Sequence, residues 1–502
     1  SIAVLPFVNM SSDPEQEFFA DGISEEILNA LAKVGELKVA GRTSSFAFKG
    51  KNEDLLAIGK VLRVNHILEG SVRKSGNRLR ITAQLIKVDD GSHMWSETYD
   101  RELNDIFVIQ DEISAAILAQ LKTRLLGEQQ PIATKTDTRA YELYLLAKQR
   151  IYERNRASLE MAVTLLGQAV GIDDTYAPAY AQLGIAYALL SERNYGTLPH
   201  TESGELAKEN LDMALRLDPL NAEALAGMGL YYRNFKLDHD KALEVLRQAV
   251  AINPSLVNAN TWLATELESQ GELRASLQLL EQTFKRDPLH PPTFSNLQQA
   301  YVVFGQNEKA QQMLDGLRAY LPGDGILYSD LGQVKLMTGQ LADARIQFEK
   351  AYETEPLNSA NRSWFSFALW GSRDYELMME IAQDELKPIP LSRLGRVEEA
   401  LILGEKAIGQ GHNPGFFFQF LVENERFAEL VNILESRWPN LDEFSSDWSG
   451  RNGYGDDTMG FIALAYRETG DEEKFADAMQ RFRAALDWQL SEGANNWVLS
   501  WS

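Results

Sequence analysis

The sequence predicts a mostly α-helical repeat superhelix preceded by a small α/β domain. Three observations carry that expectation. Pro254, Pro288, Pro322 and Pro356 stand 34 residues apart, and Pro219 stands 35 before the first. Gly271, Gly305 and Gly339 recur at the same spacing, as do Ala310 and Ala344. Residues 1–126 lack this period and mix strand patterns with helix patterns. A fixed period of this length marks stacked helical hairpins, each too small to bury its own apolar face.

Ile2 to Phe7 reads as a short buried strand, ended by the turn-rich segment Asn9 to Pro14. A helix should follow from Glu15 to Lys33, with Phe18, Phe19, Ile23, Ile27, Leu28 and Leu31 on one face. Leu37 to Phe48 reads as extended chain and Asp54 to Leu62 as a short helix. His66 to Lys74 and Arg78 to Val88 form a hairpin closed by Ser75-Gly76-Asn77. Leu79, Ile81, Ala83 and Leu85 alternate with Arg80, Thr82, Gln84 and Ile86, which predicts one buried and one wet face. Arg73, Lys74, Arg78 and Arg80 gather at this hairpin and read as a solvated edge. A helix from Asn104 to Leu125 carries Ile106, Ile109, Ile113 and Ile117 along one stripe. The polar, Pro-containing stretch 127–137 is the expected linker.

From residue 138 each repeat should contain an apolar helix, a glycine turn, a second helix opening on a small residue, and a proline that ends it. Small residues belong where two helices touch, and Leu263, Leu297 and Leu331 should fill the space between repeats. Eight or nine units are expected over 138–490, the last ones degenerate, followed by a tail over 491–502. The turn around Glu192 to Gly204 is lengthened by about eleven residues against the repeat frame.

Leu331, Gly332, Gly339, Ala344, Phe348, Ala351 and Pro356 resemble the tetratricopeptide repeat family. In the first domain, the stretches Ile2 to Phe7, Phe19 to Glu26, Arg42 to Phe46, Leu68 to Arg73, Ile81 to Ile86 and Trp95 to Arg101 resemble the TolB-like amino-terminal domain. The combination is similar to bacterial signalling proteins of the cyclase-associated or winged-helix, CadC-like kind. There the output domain, a class III nucleotide cyclase or a DNA-binding winged helix, stands upstream of one membrane span. The resemblance implies a partner-sensing portion, periplasmic or else cytoplasmic. The chain opens on Ser1 and a core-like strand, from which an upstream segment is expected.

Composition narrows the function. The 502 residues carry 49 Lys+Arg against 72 Asp+Glu, a net charge of −23. Nucleic-acid affinity comes largely from cations that displace condensed counterions, so no nucleic-acid partner is expected. No run approaches the ~18 apolar residues of a membrane span, so no insertion of this segment is expected. With 0 Cys, thiolate metal sites and cysteine nucleophiles are excluded. The six His residues are scattered without metal-ligand spacing. No nucleophile elbow, P-loop or dinucleotide motif occurs, and the glycine-rich stretch Trp448 to Asp457 lacks the calcium-loop pattern. The chain therefore reads as non-catalytic, with no cofactor.

Two candidate sites remain. On the concave face, counted from the repeat frame, Arg233, Asn234, Thr265, Ser269, Ser295, Gln299, Gln333 and Met337 point inward; they are mostly polar and uncharged, which suits a protein or peptide partner. Asp21, Gly22 and Glu25 could line a ligand cleft for a small-molecule sensor, although the acids also suit the early turns of a helix. Glu25 and Glu26, about 100° apart on a helix, are not expected to share one substrate. The aromatic run Trp364, Phe365, Phe367, Trp370 and Phe416 to Phe420 reads as core. Left incompletely covered, it would serve a partner or a homodimer.

Overall fold

The computed structural model describes all residues except 14–15, 33, 35–36, 52, 122–135, 154, 192–197, 411, 413, 446–456 and 492–502. Most of the expected linker, part of the lengthened turn after Glu192, the stretch Trp448 to Asp456 and nearly all of the tail fall outside the described residues. The chain divides into two compact units, Ser1–Glu266 with Leu279–Thr293, and Leu267–Gln278 with Phe294–Ser502.

Among the described residues the first unit begins with five strands, β1 (Ile2–Val4), β2 (Val8–Asn9), β3 (His66–Ser75), β4 (Arg78–Lys87) and β5 (His93–Glu102). They form one sheet of order β1-β3-β4-β5, with β2 also on β3. β1 and β2 run parallel to β3, while β3-β4 and β4-β5 are antiparallel. Gly76 turns the β3-β4 hairpin at φ +57°, the left-handed conformation that a tight hairpin needs. Leu79, Ile81, Ala83 and Leu85 are fully buried. Two helices, α1 (Glu17–Ala32) and α4 (Ile106–Gln120), close this core with the apolar stripes Phe19/Ile23/Ile27 and Ile106/Ile109/Ile113. Between them in the chain lie α2 (Arg42–Phe46) and α3 (Leu55–Leu62).

Two elements depart from the sequence reading. Residues 42–46 are helical where extended chain is expected, because their first amides find a carboxylate acceptor far along the chain. β5 has no counterpart in the sequence reading: its burial pattern is mostly exposed, so no alternation of apolar residues announces it, and pairing with β4 alone makes it a strand. The basic hairpin is also not the expected wet edge, since β3 lies between β1 and β4, and β4 between β3 and β5. Arg78 and Arg80 pair with Asp100, but Lys74 is half-buried, paired with Glu142 and set over the Phe19 ring.

The rest of the first unit is helical hairpins: α5 (Thr138–Tyr152) with α6 (Arg156–Ile172), α7 (Ala177–Leu190) with α8 (His200–Leu217), and α9 (Ala222–Tyr231) with α10 (His239–Ile252). The next helices, α11 (Val257–Ser269), α12 (Leu273–Arg286) and α13 (Pro291–Val303), each cross the division between units. The second unit continues with α14 (Asn307–Leu317), α15 (Gly325–Met337), α16 (Leu341–Thr354), α17 (Ser359–Gly371) and α18 (Tyr375–Ile381). Further pairs follow: Pro388–Arg393 with Val397–Gly409, Gly415–Glu423 with Phe427–Arg437, and Asp457–Thr469 with Glu472–Ser491.

The period has a legible cause in each hairpin. Pro219, Pro254, Pro288, Pro322 and Pro356 all sit in turns after second helices. Asn221, Asp324 and Asn358, each two residues past such a proline, cap the next helix through their side chains. Gly332 lies where a Cβ would come 2.5 Å from the Phe348 ring, so its bare backbone lets α15 and α16 approach closely. Gly271, Gly305 and Gly339 adopt φ of +84°, +68° and +76° in the inter-helix turns. Leu237 and Arg373, 34 positions before and after that series, take the same left-handed conformation without being glycine. The fold is thus mostly α, a tetratricopeptide-type repeat array after a small α/β sheet region.

Candidate functional site

The most heavily built polar site lies inside the first unit, where α1 and α2 meet the repeats. α1 carries Asp21, Gly22, Glu25 and Glu26 on a face that its own sheet does not use. Gly22 fits against α5 because it lacks a side chain; a Cβ there would fall 2.5 Å from Leu145 Cδ1. Glu25 accepts from Arg42 Nε at 2.6 Å and Tyr152 OH at 3.1 Å, and its Oε1 is 2.8 Å from Lys148 Nζ. Burial works against its charge, but Lys148 and Arg42 outweigh burial and bring its carboxyl down to about 2.

Lys148 is only 3% exposed and faces three carboxylates: Glu25, Glu26 at 3.2 Å and Glu223 of α9 at 3.7 Å. Burial disfavours its ammonium, yet these acids hold it well above the ordinary lysine value. Glu26 is raised by burial, which Lys148 only partly offsets. Gln182 of α7 donates to Glu223 at 2.8 Å. The Arg42 guanidinium stacks between the Phe46 and Tyr152 rings, 4.3 and 3.9 Å from their centroids. First helices of three successive hairpins, α5, α7 and α9, thereby contribute side chains to one network with α1 and α2.

A second anchor holds α2 itself. Asp287, 1% exposed in the turn after α12, accepts from Ser44 N at 2.7 Å and Thr43 N at 3.1 Å, and also from Ser44 Oγ. Leu289 N donates to Ser44 Oγ at 2.9 Å, and Gly41 N to Arg286 O at 2.7 Å. Gly41 is obligatory at this approach, since a Cβ there would overlap the Asp287 side chain. Ser255 Oγ donates to Ala32 O at 3.2 Å. A cavity of about 40 Å³ remains among Asn29, Thr43, Tyr152, Asn258, Arg286 and His290.

These positions correct the ligand-cleft expectation. Asp21 and Glu25 are each 4% exposed, Asp21 is paired with Lys49 Nζ at 2.6 Å, and Gly22 is covered by Leu145. The chain itself fills the place. Glu25 and Glu26 also share one partner after all: their flexible side chains converge on Lys148, which contacts both. Sequence reasoning missed Arg42, Ser44, Lys148, Tyr152, Glu223 and Asp287 as members of one site. Lys148 did leave a signal, because it falls on the stripe Tyr141, Tyr144, Leu145, Ile151 that α5 buries.

The expected concave-face residues divide between the units. In the first, Arg233 and Asn234 are half-buried in the π-helical turn Tyr232–Lys236, and Thr265 Oγ1 donates to Thr261 O at 3.0 Å. In the second, Ser269 is exposed, and Gln299 and Met337 are half-buried. Ser295 Oγ and Gln333 Nε2 converge on Asp330 Oδ1 at 3.0 and 3.5 Å. Burial pushes the Asp330 carboxyl well up, and its Oδ2 has no hydrogen-bond partner. Phe365, Phe417, Phe418 and Phe420 are core, whereas Trp364, Phe367, Trp370 and Phe416 are only partly covered. Phe367 stands 5.7 Å from Trp364 and 5.4 Å from Phe416 between centroids.

No protein-family model matches the chain. A Rhizobium meliloti protein named "Putative adenylate cyclase 3" is 46% identical over 188 residues, 37% of this chain. The matched stretch spans 32% of that protein's length. Human IFIT1, solved as a dimer with m7Gppp-AAAA, matches 77% of this chain and 89% of its own at 17% identity and TM-score 0.41. The tetratricopeptide protein TTC0263 of Thermus thermophilus matches 39% of this chain and 99% of its own, at 23% identity and TM-score 0.33. No described helix is long and apolar enough to cross a membrane.

Proposed function

We propose that the chain is a non-catalytic sensory and regulatory module of a bacterial signalling protein, binding a protein or peptide through the repeats of its second unit. One observation carries this reading. In the first unit Lys148, backed by Glu223 and Gln182 on the next two first helices, is already taken up by α1. In the second unit Ser295, Gln299, Gln333 and Met337 are half-buried or hydrogen-bonded around Asp330, and the same unit keeps the partly covered rings Trp364, Phe367 and Phe416. Such residues offer hydrogen bonds to a polypeptide backbone and an apolar seat for a bulky side chain. The amino-terminal α/β region is taken as TolB-like, and the compartment as periplasmic.

A second reading, regulation of a nucleotide cyclase whose output domain is upstream, is favoured by the identity to the rhizobial cyclase-named protein. Capture from the source organism tests the first reading. The unaltered chain should retain a defined partner that the double variant Gln299→Glu/Gln333→Lys loses. Equal retention by both would reject the second unit as the binding face.

A further inference from the structure

We infer that the contact between α2 and the turn 286–290 is a releasable clasp, which keeps the α1-facing side of the first unit's repeats closed to outside polypeptides. This inference rests on the reading of the repeats as a partner-binding scaffold, and it adds the regulation of that scaffold. The side of the interface made by α1 and α4 is held by apolar packing, Gly22 on Leu145 and Phe107 against Tyr141 with centroids 4.8 Å apart, together with the Glu25 and Glu26 ion pairs to Lys148. The α2 side is built differently. Its cohesion comes mainly from polar contacts: four backbone amides crossing between the two parts, those of Gly41, Thr43, Ser44 and Leu289, the Ser44 hydroxyl on Asp287, and Arg42 stacked on Tyr152.

Three features make the α2 side the weaker end. The cleft of about 40 Å³ runs beside it and is partly open to solvent, so water can reach this end of the contact. Ser45 Oγ is buried without a hydrogen-bond partner, a cost that opening would relieve. Asp287 is a buried carboxylate that accepts from the amides of Thr43 and Ser44 and from the Ser44 hydroxyl, all of which water can replace when the clasp opens. Interfaces of this polar kind within one chain behave as transient contacts. When the clasp is open, a polypeptide that brings a carboxylate toward Lys148 and backbone donors toward Asp287 can take the place of α1 and α2.

Native-state hydrogen exchange of the full chain, with Asp287→Asn and Ser44→Ala as variants, decides the matter without any partner. The amides of Gly41, Thr43, Ser44 and Leu289 should exchange together, at least about tenfold faster than the β3-β4 ladder. Either variant should speed them about tenfold further and leave β3-β4 and α15-α16 unchanged. If these four amides exchange only at the rate of the β3-β4 ladder in the unaltered chain, the contact opens only with global unfolding and the clasp is rejected. Loss of the partner-binding reading would leave this exchange pattern intact, so the two ideas fail separately.

Discussion

Ser44 and Asp287, 243 positions apart in the chain, meet through a backbone amide to carboxylate hydrogen bond of 2.7 Å. This contact turns a stretch with little helix signal into α2, and it fastens the α/β region to a turn of the repeat array. The approach depends on Gly41, whose missing side chain leaves room for Asp287. Gly41→Ala should therefore cost about 2–3 kcal/mol, at the upper end of ordinary single substitutions. Urea unfolding followed by circular dichroism checks this; an unchanged midpoint would mean that Asp287 does not lie against Gly41.

Lys148 is the only cation in contact with both Glu26 and Glu223 among the described ion pairs. Lys148→Met would leave these acids and Glu25 partly uncompensated in a buried place, which costs about 3–5 kcal/mol. The midpoint of denaturant unfolding measures it. An exposed lysine in a surface pair would instead shift it by under about 1 kcal/mol.

Acid dependence follows from the carboxyls. Glu25 titrates at about 2 in the folded chain against an ordinary 4.5, so its contribution is complete above about pH 4.5 and is lost as pH falls through about 2. Glu26 and Asp287 run the other way, since burial raises both and protonation relieves part of their penalty. Glu25→Gln should thus lower stability by up to about 3 kcal/mol at about pH 6, with the gap closing toward about pH 2. Thermal melts of both proteins across that range give the comparison; a gap independent of pH would remove Glu25 from the ionic network.

Arg373 occupies the left-handed turn position that Gly271, Gly305 and Gly339 fill in neighbouring repeats. Its side chain is exposed, so replacement removes little packing. Arg373→Gly should stabilise the protein by about 1 kcal/mol, because the backbone strain of a side-chain-bearing residue is relieved. Calorimetry would register this as a raised melting temperature, and a lowered one would contradict the turn geometry.

The repeat half is legible in the sequence because its causes are local and recurrent: a proline that ends a helix, a glycine that turns, a small residue at the helix crossing. Even there, Leu237 and Arg373 hide two turns of the same register, since a left-handed backbone can be forced on residues that do not advertise it. The polar site is less legible for a physical reason. Glu25, Arg42, Lys148, Glu223 and Asp287 gain meaning only from partners more than a dozen residues away, and each by itself looks like a wet charge. Lys148 is the exception, a charge on a buried stripe. β5 is hidden by the opposite circumstance, a strand whose mostly exposed side chains leave backbone pairing as its main determinant.

Whether the first repeats are occupied by the chain's own α1 is tested most directly by a brief pulse of amine-reactive label on the native full chain, read by peptide mass spectrometry. Lys148 should stay unmodified during the brief pulse while exposed lysines such as Lys51 and Lys60 are labelled, and it should react as they do once the chain is unfolded. Labelling of Lys148 at the rate of those surface lysines would show that Glu25 and its helix do not cover it.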